Sequence, residues 1–208
     1  MEFLSDFLQY SITFFAILDP IGSSAIALSI LGSKISQVQL NDVSKKSTFT
    51  ILIAFFVVFL SGDFILNLFG ISENSLKTMG GLILILMSIK MVNGSTDKNA
   101  TPNDDNYKEM AIVPIGIPIA FGAGLFSTVI IFKQQAQTMV DISAVSSAFI
   151  LNALLFYLIM RNSRHIKNLL GVTGQNVVTK LMGLIVGAIA VQFIVSGIIA
   201  MVKQYGMI

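Results

Sequence analysis

Six stretches of this chain are apolar for long enough to cross a lipid bilayer as helices, and most of its charge lies between or at the ends of them. They run from about Phe3 to Leu31, Thr48 to Phe69, Ser75 to Asn93, Met110 to Phe132, Val140 to Met160 and Val177 to Val202. Roughly 20 apolar residues of helix match the hydrocarbon thickness. Inside hydrocarbon every backbone polar group must find its partner within the protein, which leaves helices or a closed barrel. The composition points the same way. Charged residues are 12% of the 208, against about 25% in a soluble domain, and the mean hydropathy is +0.82. The expectation is an all-α membrane protein, one polytopic domain over residues 1–208.

The first apolar run is interrupted. Asp19-Pro20-Ile21-Gly22 stands inside Phe14 to Leu31, where Asp19 is the only charge. Proline has no N–H and clashes with the preceding turn, and glycine weakens a helix interior. A helix broken this way frees carbonyls on one side and N–H groups on the other. In a membrane such groups must be buried in protein or line a cavity. The fourth run has a similar break, with Pro114, Gly116, Pro118, Gly122 and Gly124, followed by Ser127 and Thr128. Helices 1 and 4 are therefore expected to be discontinuous.

The hydrophilic stretch at 95–109 divides the chain nearly in half. Aligning Lys77 with Lys180 also pairs Met79 with Met182, Gly80 with Gly183, Val92 with Val195 and Gly94 with Gly197. With three spans per half, the sequence predicts two inverted three-helix repeats, 1–94 and 110–208. Inverted repeats with broken helices are the build of many secondary transporters. Gly80 and Gly81, and the GxxxG pair Gly183 and Gly187, are expected to let helix backbones approach closely. Six spans put Lys34, Lys45, Lys46, Lys90, Lys98, Lys108, Arg161, Arg164, Lys167 and Lys180 on one side, and only Lys77, Lys133 and Lys203 on the other. The positive-inside rule makes the first side cytoplasmic, with both termini outside a cell (inner) membrane. Acidic Glu2 and Asp6 argue against a cleaved leader.

Several function classes find no support. There is no cysteine and a single histidine, His165, so no metal site or cofactor is expected. Phosphate-loop and HExxH motifs are missing, no catalytic residues stand out, and no enzyme is expected. A net charge of +2 does not point to nucleic acid. The candidate binding site is the junction of the two breaks: Asp19, Pro20, Gly22 and Ser23 from one half, and Pro118, Gly122, Gly124, Ser127 and Thr128 from the other. N–H groups at a half-helix start favour a carboxylate. Freed carbonyls, or Asp19, suit an ammonium group or a cation. A neutral amino acid has that polarity, with H⁺ or Na⁺ as the candidate coupling ion.

These motifs together resemble the MarC family, the multiple-antibiotic-resistance-related membrane proteins that include SnatA-type neutral amino acid transporters. The family's first broken helix usually reads Asn-Pro-x-Gly, here Asp19-Pro20-Ile21-Gly22. Its third helix looks like Leu76 to Gly94 with Gly80-Gly81, and its last like Met182-Gly183 through Gln192-Phe193 to Gly197. Its fourth typically reads Pro-x-x-x-Pro-x-x-Ala-Gly-Pro-Gly, here Pro114 to Gly124. Two departures stand out: Asp19 replaces the usual Asn, and Phe121-Gly122-Ala123-Gly124 replaces Ala-Gly-Pro-Gly, which is expected to reshape the pocket. The resemblance implies amino acid transport. A non-transporting scaffold or assembly protein, or a channel, is the alternative. No oligomeric state is specified by the sequence.

Overall fold

The computed structural model describes residues 2–32, 35–94 and 107–204. Helix α1 (Glu2–Leu18) and helix α2 (Pro20–Leu31) are separated by Asp19 alone. Then come α3 (Gln37–Phe69) and α4 (Glu73–Asn93). A short α5 (Tyr107–Met110) leads into an irregular helical segment, Ala111–Ala120, and after Phe121 and Gly122 into α6 (Ala123–Gln135). The chain ends with α7 (Met139–Arg161) and α8 (Ser163–Gln204). No strand occurs among the described residues. Among the described residues, five stretches are long and apolar enough to span a membrane. A sixth is added if Tyr107–Ala120 and Ala123–Gln135, bent by 63° to one another, form one span.

Two helices extend into regions expected to be loops. The second was expected from Thr48, but α3 starts at Gln37. Ser36 and Gln39 form a capping box there, each side chain bonding the other's backbone N–H. Leu40, Val43, Ser44 and Ser47 then continue a buried helical face. The basic stretch after Arg161 is likewise helical and leaves His165 exposed; α8 is broken only at Gly171, whose φ of 64° few side chains tolerate. Of the expected hydrophilic loop, Tyr107–Glu109 is helical. Residues 95–106, and with them Lys98, lie outside the described residues, as does Lys34.

The irregular segment has a simple cause. Its two extended residues, Val113 (φ −128°, ψ 122°) and Ile117 (φ −133°, ψ 126°), directly precede Pro114 and Pro118. A proline pushes its predecessor out of the helical region.

Two packing devices hold the bundle. One is an aromatic core. Phe55 of α3 stacks on Phe149 of α7 with ring centres 4.0 Å apart, and Phe14 of α1 meets Phe149 and Phe132 edge-on. The other is the close antiparallel contact of α4 and α8. A methyl group at Gly81 would stand 2.7 Å from the Ala190 carbonyl oxygen, and one at Gly183 2.8 Å from Met91 Cβ. Gly187 faces Ser88 across the same contact, while Gly80 faces Ser127 of α6. Two hydrogen bonds tie α1 and the Ala111–Ala120 segment to their neighbours. Asn152 Nδ2 donates to the Ser11 carbonyl (3.0 Å), and Ser47 Oγ donates to the Ala111 carbonyl (2.9 Å).

Candidate functional site

The two breaks differ in how their freed groups are satisfied. Asp19 is the only described non-glycine residue with positive φ (38°), a conformation that Asp and Asn tolerate better than most. That turn folds its carboxylate back over the start of α2, where Oδ1 accepts from the Gly22 N–H at 3.2 Å. Ser23 Oγ donates to the Leu18 carbonyl at 2.9 Å, and Ser24 Oγ donates to the Ile21 carbonyl at 2.8 Å. Asp19, Pro20, Gly22, Ser23 and Ser24 are all buried. The first break thus satisfies much of its own polarity, beside Thr179 of α8.

The second break is open. No side chain caps α6 at Gly122, so its first N–H groups have no partner from that source. The Phe121 N–H reaches back to the Gly116 carbonyl in one wide turn of 2.9 Å. Pro118 has no N–H to offer the Pro114 carbonyl. The Pro118 carbonyl oxygen lies against Gly122, where a methyl group would be 2.9 Å from it. Pro118, Gly122 and the first residues of α6 line a cleft of about 370 Å³ between α4 and the second break. Small-molecule sites occupy roughly 300–1,000 Å³. Pro118, Gly122, Gly124 and Leu125 form one wall, with Ile83, Leu86, Met87 and Lys90 of α4 opposite and Ile17 of α1 at the side. Lys90 is the one charged residue in the lining and is exposed. Among the described residues no cluster of three or more His, Asp or Glu could hold a metal ion.

The structure therefore does not gather the candidate residues around one space. Pro118, Gly122 and Gly124 line the cleft; Asp19, Pro20, Gly22 and Ser23 do not, and Ile17 is the first helix's contribution. Ser127 and Thr128 are buried and turn their hydroxyls onto their own helix, donating to the Gly124 carbonyl at 3.0 and 2.8 Å. Phe121 is 5% exposed and leans on Phe149, so its ring joins the aromatic core instead of the cleft. Lys90, Met87 and Thr179 were not among the candidates. Only Lys90 carried a signal, as a lone cation in the last turn of an apolar helix. At its far end α6 is pinned by an ion pair, with Lys133 Nζ donating to Asp63 Oδ2 of α3 at 3.2 Å.

Comparison with known proteins adds a lineage to this geometry. A family model described as MarC family integral membrane protein matches residues 4–202. A UPF0056 membrane protein of Buchnera aphidicola subsp. Baizongia pistaciae is 29% identical, covering 97% of this chain and 96% of its own length. One from Methanocaldococcus jannaschii is 30% identical over 92% and 97%, and one from Aquifex aeolicus 26% identical over 98% and 97%. No solved structure matches the chain.

Proposed function

Since the chain belongs to the MarC family of integral membrane proteins, we propose that it is a secondary transporter of small neutral amino acids, with H⁺ or Na⁺ as coupling ion. The observation that carries this reading is the uncapped start of α6 opening into the cleft. Its N–H groups and the positive end of the helix dipole suit a substrate carboxylate. Lys90 adds positive charge at the rim. The Pro118 carbonyl oxygen, beside Gly122 in the lining, is the proposed acceptor for an ammonium group. What remains is bounded by Ile17, Met87 and Leu125, which suits a small apolar side chain. The first break cannot offer the same anion site, because Asp19 already occupies that end of α2.

The proposal includes two inverted repeats with helices 1 and 4 discontinuous. One sequence separation carries Pro20 at the start of α2 to Ala123 at the start of α6, and Lys77 to Lys180. Within one residue it also carries the capping box at Ser36 to that at Thr138. This register makes Gly122 the counterpart of Asp19. Packing supports the same relation: α2 lies on α8 as α6 lies on α4, and α1 on α7 as the Ala111–Ala120 segment on α3. The symmetry is broken at one place. Helix α1 packs along α8, while the irregular segment stands off from α4, and the cleft fills that gap. Alternating access then consists of closing the cleft against α4 while the equivalent gap opens between α1 and α8. The proposal has the protein in the cell membrane, and the charge bias supports both termini outside and Lys90 towards the cytoplasm.

Uptake of labelled glycine and alanine into proteoliposomes, with imposed Na⁺ or pH gradients, tests the reading. Flux above protein-free vesicles is expected. No flux across several neutral amino acids and both ions would overturn it.

A further inference from the structure

Asp19 raises a separate question, because its charge has no visible counter-charge. The carboxyl is 6% exposed, and the described ion pair of this chain is Asp63–Lys133, at the far end of α6. The elements packed against the break are α6, α7, α8 and the Ala111–Ala120 segment. The last carries no charge; α6 carries Lys133, and α7 has Asp141 and Arg161 at its ends. On α8 the basic turn Arg164–Lys167 precedes the kink, Lys203 is in the last turn, and Lys180, beside Thr179, is exposed. None of them pairs with Asp19. A carboxylate buried without a cation is strongly disfavoured, and one backbone N–H at Oδ1 does not offset a full charge.

The second oxygen, Oδ2, has a distinctive neighbour. It lies over Gly22, where a methyl group would collide with it and would stand 2.7 Å from Thr179 Oγ1. The Thr179 hydroxyl thus stands beside the carboxyl, and Thr179 is itself only half-buried. A hydroxyl both donates and accepts. From beside the carboxyl it can receive a hydrogen bond from a protonated Oδ2 or give one to an ionised Oδ2. The neighbouring Leu18 carbonyl is already taken by Ser23. Two oxygens are enough for a proton and too few to enclose a metal cation.

We propose that Asp19 and Thr179 form a proton-binding site, built jointly by the two halves of the chain and distinct from the substrate cleft. Its use in coupling rests on the transport reading above, but its existence does not. The proton enters from water along Thr179, resides on Oδ2 and leaves by the same hydroxyl. Ile17 lines the cleft two residues before Asp19, so the charge state of the break acts on the cleft wall. Gly22 is required because any side chain there displaces the carboxyl.

Infrared difference spectroscopy of the reconstituted protein tests the site directly. A protonated-carboxyl carbonyl band is expected that disappears as pH rises and is missing in Asp19→Asn. In Thr179→Val, which leaves the Gly22 cap intact, the band should move because the acid loses its acceptor. No Asp19-dependent band at any pH where the protein stays folded would overturn the proposal. So would a band that responds to Na⁺ instead of pH, and an unmoved band in Thr179→Val would remove Thr179 from the site. Uptake against pH separates this from the transport reading. A wild type that shows the band but moves no amino acid loses the transporter and keeps the proton site. A wild type whose uptake depends on pH in the same way as that of Asp19→Asn keeps the transporter and overturns the use of the proton site in coupling.

Discussion

Lys90 and Gly124 decide how the cleft meets a substrate. Lys90 is exposed, so its attraction for a carboxylate is screened, and contacts of that kind contribute about 0.2–1 kcal/mol. Lys90→Gln should therefore raise the KM for uptake by about 1.4- to fivefold, since 1.4 kcal/mol is a factor of ten. The effect should shrink as salt is added. Gly124 works by volume. A methyl group there would stand 2.8 Å from Leu84 Cδ2 and 3.4 Å from Met87 Sδ, so each added carbon takes space from the cleft. Gly124→Val should exclude larger neutral amino acids before glycine, which a competition series against labelled glycine would show. An unchanged selectivity order would place the substrate elsewhere. Gly122→Ala is a different test, because its methyl group meets the Pro118 carbonyl oxygen and would block the proposed ammonium acceptor.

Helices α4 and α8 pack closely against each other, with α2 on α8 and α6 on α4. At Gly81 the neighbours include the Ala190 carbonyl and the Ile194 N–H, backbone atoms that cannot turn aside as a flexible side chain can. Gly81→Leu should therefore destabilise the protein by about 1–3 kcal/mol through overpacking, measured as a lower denaturant midpoint in detergent. Asp63→Asn should change stability by less than about 1 kcal/mol, because the pair it breaks is partly exposed. These contacts also mark where sequence reasoning stops. The apolar runs, the Asp19-Pro20 break and the doubled glycines could be read directly, because hydrocarbon length, missing N–H groups and missing side chains act locally. The early start of α3 was hidden by polar residues such as Asn41, Lys45 and Lys46, which share that helix with a buried face through Leu40 and Val43. That Thr179 adjoins Asp19, and that Met87 and Lys90 face Gly124, depends on how α8 and α4 are placed in space. No periodicity within one helix encodes that placement.

At the scale of the whole molecule, the inverted-repeat reading depends on whether Tyr107–Gln135 crosses the membrane or turns back within it. Its two halves meet at 63°, an angle that suits either a broken span or a re-entrant loop. The outcomes differ in parity. If it crosses, the α6–α7 turn lies on the opposite side from Lys108 and on the same side as Glu73, giving six spans and halves of opposite orientation. If it turns back, the α6–α7 turn shares a side with Lys108. Five spans then remain, and the internal similarity no longer describes an inverted pair. The chain has no cysteine, so single substitutions report without background. Glu73, Lys108 and Met139 are all exposed. With six spans the positive residues gather on the Lys108 side, which the positive-inside rule predicts to be cytoplasmic. In intact cells, Glu73→Cys and Met139→Cys should react with an impermeant thiol reagent, and Lys108→Cys should react only after the membrane is opened. Labelling of Lys108→Cys and Met139→Cys together, with Glu73→Cys distinct from both, would make the fourth segment re-entrant. It would also remove the symmetry on which exchange of the two gaps depends, leaving the cleft open to one side only.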